Sequence, residues 1–149
     1  MKIAVGCDHG GFELKNAIKA HLEERGFEVS DFGIYESQPV DYPEIAIKTA
    51  NSVAAGENDL GILVCGTGIG MSMAANKVNG IRAAACSDHY SAKYTRLHNN
   101  ANILCLGGRV IGAGTALELS DIFVDTEFEG GRHQKRIDLI SEIEESQKK

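Results

Sequence analysis

Apolar residues in this chain come in two rhythms. Short, β-branched-rich runs at 2–6, 28–32, 60–65, 81–86 and 102–106 have the length and composition of buried strands. Between them lie longer segments in which apolar residues recur every three or four positions. Phe12, Leu14, Ala17, Ile18 and Leu22 make one such stripe, and Ile45, Ala46, Thr49, Ala50 and Val53 a second. Met71, Ala74 and Ala75 begin a third, and a fourth helical segment covers 88–98. Two more follow. Segment 113–123 carries Leu117, Leu119 and Ile122, and 132–147 carries Ile137, Ile140 and Ile143 before a polar tail.

Five strand runs alternating with helices predict an α/β chain with one parallel sheet covered on both faces. Right-handed crossovers and five strands predict a doubly wound, Rossmann- or flavodoxin-like sheet in the order 2-1-3-4-5. A length of 149 residues fits one domain, 1–149, and no repeat or linker interrupts it. That order reverses direction between strands 1 and 3, which opens a ligand crevice at their carboxyl ends. Cys7-Asp8-His9-Gly10-Gly11 follows the first of these strands and Cys65-Gly66-Thr67-Gly68-Ile69-Gly70 the other. Two chemically loaded turns therefore converge where such sheets bind ligands.

Charge narrows the ligand. A net charge of −6 argues against nucleic acid and anionic membranes as partners, so an anionic substrate needs a local basic cluster. No apolar run is long enough to span a bilayer, and the first residues enter a strand without a signal-peptide core; a cytoplasmic protein is expected. None of the four cysteines, Cys7, Cys65, Cys86 and Cys105, lies in a CxxC pair, which argues against zinc and thioredoxin chemistry. Cys86 and Cys105 read as small buried hydrophobes.

The turn after strand 3 has the strongest chemical pattern. Glycines at 66, 68 and 70 permit positive φ and close backbone approach. The following helix start points free N–H groups into the crevice, and Thr67 adds a hydroxyl, so the turn suits a phosphate or a developing oxyanion. A cysteine at such a place is favoured as thiolate; a glycine-rich connector beside a buried cysteine is the plainer reading. It is a poor dinucleotide fingerprint, because Met71 stands where the third glycine belongs. Asp88, past the next strand, keeps a ribose-binding acid open. Asp8 and His9 suit hydroxyl binding or proton transfer, with Asp8 also fit to cap the next helix. His98 stands among Asn99, Asn100 and Asn102, either as chemistry or as a helix-ending Asn turn. Arg109 follows the last strand, and Arg132 and Arg136 are four apart on one helix face beside Gly130-Gly131, a spacing that suits phosphate. His21 has no partner visible in sequence, and His89, beside Asp88 past strand 4, could reach the crevice.

Taken together, Val5–Gly11, Cys65–Gly70, Ala74-Ala75-Asn76-Lys77, His98-Asn99, Gly107-Gly108-Arg109 and Gly131-Arg132-His133-Gln134-Lys135-Arg136 resemble type B ribose-5-phosphate isomerases, a family that includes galactose-6-phosphate and allose-6-phosphate isomerases. The resemblance spans essentially the whole chain. It implies a metal-free, cofactor-free aldose–ketose isomerase acting on a sugar phosphate. Cys65 would move the proton between C2 and C1 through a cis-enediolate. Some relatives use a Glu a few residues later, but Met71 and Ser72 stand in that neighbourhood here. Thr67 and the Gly66, Gly68, Ile69 and Gly70 amides would hold the enediolate oxygen. Asp8 and His98 would open the furanose ring. His9, Arg132, Arg136 and Arg109 would grip the phosphate, and Asn99 the sugar hydroxyls. Asn100 departs from the Asp of many relatives. The family forms homodimers or tetramers whose sites join the Cys65 turn of one subunit to the His98–Arg109 region of its neighbour, with the C-terminal helix reaching toward the partner. Ribose 5-phosphate, a hexose 6-phosphate and, less directly, a non-catalytic nucleotide- or phosphate-binding role remain open on sequence.

Overall fold

The computed structural model describes residues 1–148. Strands β1 (Lys2–Cys7), β2 (Glu28–Asp31), β3 (Leu60–Cys65), β4 (Ala83–Ala85) and β5 (Ile103–Gly107) form one sheet in which every pairing is parallel. Its helices are α1 (Phe12–Glu24), α2 (Tyr42–Ala54), α3 (Ile69–Ala75), α4 (His89–Asn99), α5 (Ala113–Asp125) and α6 (Arg132–Ser146). On one face α1 and α4 pack beside α5; on the other α2 packs against α3. α6 leans on α4.

The strand order is β2-β1-β3-β5-β4, so the expected 2-1-3-4-5 is corrected at one edge. Burial explains the swap. Ile103-Leu104-Cys105-Leu106-Gly107 is buried at every position, whereas Ala83-Ala84-Ala85 is half-buried to exposed. The bulky apolar strand takes the two-sided interior place, and the alanine strand forms the edge, shorter than the predicted 81–86. The expected reversal between β1 and β3 stands. The exchange adds a consequence: β5 now borders β3, with Cys65 in register with Gly107.

Local signals set the element ends. Asp88 caps α4 by accepting the Ser91 N–H at 2.8 Å, and Asn100 ends it in the left-handed region at φ 45°. Pro43 stands in the first turn of α2. Asp8 caps a one-turn 3-10 segment, His9–Gly11, rather than α1 itself.

One buried charge ties the crevice wall together. Lys15 on α1 is 1% exposed; its ammonium donates to Asp31 Oδ2 at 2.8 Å and to the Ile34 carbonyl at 2.9 Å. Asp31 Oδ1 accepts the Gly33 N–H. The segment leaving β2 is thereby pinned beside the end of β1.

Candidate active site

Three turns interlock at the carboxyl ends of β1, β3 and β5. The Gly108 N–H donates to the Cys65 carbonyl at 2.8 Å and the Arg109 N–H to the Gly66 carbonyl at 3.0 Å. A Cβ on Gly108 would stand 2.4 Å from the Gly10 carbonyl oxygen, and one on Gly10 3.1 Å from the Gly66 nitrogen. Such separations are below contact distance, so these glycines are there for close approach. Gly68 has the other use: its φ is 81°. Gly70 makes room for the Tyr42 ring, 2.7 Å from where its Cβ would be.

This packing places the chemistry. Cys65 is 5% exposed, and its Sγ accepts the Gly68 N–H at 3.1 Å. A backbone donor therefore faces the sulfur from within the turn. Thr67 is exposed; its Oγ1 accepts the Ile69 N–H, which leaves the hydroxyl proton free to donate outward. Asp8 is nearly buried and accepts the Gly10 N–H at 2.9 Å. His9 is exposed on the rim. The Arg109 guanidinium lies over Gly66, its Nη1 3.5 Å from that residue's would-be Cβ. Desolvation pushes the Cys7 and Cys86 thiols up to about 11, and Cys105 well above the ordinary thiol value. Those three are inert packing groups.

The other predicted site residues lie elsewhere in the same chain. His98 and Asn99 end α4, which starts beyond the carboxyl end of β4 and runs back for 11 residues, about 16 Å. The carbonyls of Asn99 and Asn100 accept from Arg82, just before β4, so this end of α4 stands at the amino edge of the sheet. Arg132 and Arg136 are exposed on α6 beside it. His98 is stacked on His133 with centroids 4.0 Å apart, meets the Tyr94 ring edge-on at 4.9 Å, and has Glu129 Oε2 at 3.6 Å from its Nε2. Burial and the neighbouring His98 and Arg132 hold His133 below the usual imidazole value. One chain thus holds the two sets of expected residues apart, by about a strand length, 15 Å or more. Arg109 belongs to the Cys65 half, not to the His98 half with which it was expected.

The remaining expectations divide. His89 does not reach into the crevice; it bonds Glu118 on α5, while His21 finds Asp121 at 2.8 Å. The Asp88 carboxylate is engaged as a helix cap, which removes the ribose-binding acid on which a nucleotide reading rested. Three residues escaped the sequence reading. Lys15 had a signal, since it falls within the buried arc of α1 with Ile18 and Leu22. Tyr42 and Glu129 had none, because their partners come from distant segments.

Doubly wound sheet, switch-point crevice and thiol-bearing anion turn define an α/β chain built to handle a small anionic ligand. Residues 3–140 match the ribose/galactose isomerase family, and the chain belongs to it. Ribose-5-phosphate isomerase B of Escherichia coli (strain K12) is 53% identical over 144 residues, 97% of each chain. The solved ribose-5-phosphate isomerase B of Clostridium thermocellum superposes with a TM-score of 0.98 at 51% identity, covering 99% of this chain and 100% of that one. Ribose-5-phosphate isomerase B of Mycoplasma genitalium, solved with bound ribulose-5-phosphate, superposes at 0.94 with 42% identity, covering 97% and 96%.

Proposed function

We propose that this protein interconverts ribose 5-phosphate and ribulose 5-phosphate, with Cys65 as the base. The carrying observation is the Cys65 sulfur under the Gly68 N–H, in a turn locked against Asp8 and Arg109. Isomerisation needs one base within reach of both C1 and C2, and fixed donors for the enediolate oxygen. Cys65 takes the C2 proton and returns it to C1. The Thr67 hydroxyl and the amides from Gly66 to Gly70 stabilise the oxygen where charge develops. Asp8 and His98 open the furanose ring, His98 giving a proton to the ring oxygen. His9, Arg109, Arg132 and Arg136 hold the phosphate, and Asn99 the hydroxyls. A thiolate base and a preorganised amide cradle supply the needed steps without a metal.

Because His98 and Cys65 occupy opposite ends of one chain's sheet, a working site takes them from two chains. The open edge of β4 supports this. Cys86 lines both a cavity of 260 Å³ holding Thr67 and one of 350 Å³ holding His98, so a continuous groove follows that edge. Exposed Ile69, Tyr90 and Val110 line it, an apolar surface fit for a second copy. Ile140 and Ile143, exposed on α6, share a further cavity with Ala84, Thr95 and Asn99 and extend that surface. No helix among the described residues is long and apolar enough to cross a membrane.

The test is turnover by EDTA-treated protein on ribose, allose and galactose phosphates, with Cys65→Ala in parallel. Turnover of ribose 5-phosphate that Cys65→Ala abolishes is expected. Preference for a hexose phosphate overturns the substrate, and full activity in Cys65→Ala overturns the base.

A further inference from the structure

His98 and Asn99 stand on the last turn of α4, and two guanidinium groups hold that turn. Arg82 donates from Nε to the Asn99 and Asn100 carbonyls, at 3.1 Å each, and from Nη2 to the Asn100 carbonyl at 2.9 Å. Arg96, on the turn itself, donates from Nη1 to Asn100 Oδ1 at 2.9 Å and to the Ala101 carbonyl at 2.7 Å. Carbonyls at a helix C-terminus lack intrahelical donors and carry the negative end of the helix dipole, which suits a cation.

Arg96 differs from Arg82 in what it joins. Its Nε donates to the Thr126 carbonyl at 3.0 Å. Thr126 ends α5 and opens the segment that leads into Arg132 at the start of α6. The Glu129 N–H ties the same segment to the Leu97 carbonyl at 3.1 Å. Buried Phe123 lies under the Arg96 guanidinium, 5.7 Å from ring centroid to Cζ. One planar group thus fastens the turn of His98 and Asn99 to the segment that delivers Arg132 and Arg136. An ammonium on a flexible stem cannot span these acceptors in the same way. Arg96 has no carboxylate partner among the described residues; the charge that acts on it is a second cation, Arg82. Asn100 already ends the helix in the left-handed region, so capping alone does not require the guanidinium.

We propose that Arg96 is a positioning residue of the isomerase: it touches no substrate and sets the spacing between His98 and the phosphate-holding arginines of α6. The proposal rests on the isomerase reading above. In furanose ribose 5-phosphate only C4 and C5 separate the ring oxygen from the phosphate ester. Proton donor and phosphate grip must therefore keep one spacing, and a displacement of about 1 Å can cost about 100-fold in rate. Ribulose 5-phosphate has no furanose form, because its O5 carries the phosphate. It meets Cys65 as an open chain, so exchange of its C1 proton with solvent needs no proton from His98.

The test compares the full-length wild type with Arg96→Lys, which keeps the charge, in two assays at saturating substrate. One is turnover of ribose 5-phosphate; the other is exchange of the ribulose 5-phosphate C1 proton for deuterium in D₂O. Arg96→Lys should lower ribose 5-phosphate turnover at least about tenfold and leave exchange within about threefold of wild type. His98→Asn should show the same split. Where Arg96→Lys does not fold, Asn100→Gly reports in its place: it keeps the left-handed backbone and removes only the side-chain acceptor, so the same split is expected at smaller size. Equal losses in both assays mark a merely structural role and overturn the proposal, as does undiminished turnover in Arg96→Lys beside an active wild type. A wild type without turnover on any sugar phosphate overturns the isomerase reading and the positioning role with it.

Discussion

Cys65 differs from its three sister thiols in where it stands, at the head of the glycine turn in the crevice. Gly68 offers it an N–H, while Cys7, Cys86 and Cys105 are raised by desolvation. Cys65→Ala should therefore cut kcat about 100- to 10,000-fold, and Cys7→Ala or Cys86→Ala should leave it near wild type; steady-state rates on ribose 5-phosphate check both. Lys15 is the residue that the sequence reading passed over, although it falls within the apolar arc of α1. A lysine on an amphipathic helix reads as solvent-facing, yet this one is buried against Asp31 and the Ile34 carbonyl. Lys15→Ala leaves both partners uncompensated and should cost about 3 kcal/mol in urea unfolding. His133 offers a pH test. Its folded value is depressed, so the unfolded chain binds the proton more readily. Stability from this residue is present above the ordinary imidazole value of about 6.5 and falls as pH drops through it. His98, Glu129, Arg132 and Arg136 face it. Urea midpoints at pH 7.5 and 5.5 should differ less in His133→Gln than in wild type.

At the scale of elements, the sequence disclosed five strands, the helices between them and the crevice between β1 and β3, because periodicity and run length report which surfaces are buried. It did not disclose that β5 displaces β4 from the neighbourhood of β3. A run's position in the chain carries no pairing information, and the clue lay in bulk: Ala83-Ala84-Ala85 is a poor interior strand beside Ile103-Leu104-Cys105-Leu106. That exchange brings Arg109 over Gly66 and interlocks the turns. Gly108 is the pin. A methyl there would press on the Gly10 carbonyl at 2.4 Å, so Gly108→Ala must push the β1 and β5 turns apart. It should destabilise by about 1–3 kcal/mol and lower kcat more than its stability loss explains, measured by paired denaturation and kinetics.

The whole molecule presents the proposed catalytic groups in two sets. Asp8, His9, Cys65, Thr67 and Arg109 gather at the carboxyl edge, while His98, Asn99, Arg132 and Arg136 stand beyond the amino edge. Each residue was legible as a motif, but which motifs one chain unites depends on the direction α4 runs. A site joining both sets across two copies is the central claim. It is tested most directly by refolding a mixture of two inactive variants, Cys65→Ala and His98→Asn, from urea. Half the reassorted dimers are mixed, and each carries one intact site, so about a quarter of wild-type turnover should return. A mixture as inactive as its components, with mixed dimers verified by mass, would contradict the shared site and require Cys65 and His98 to act within one chain.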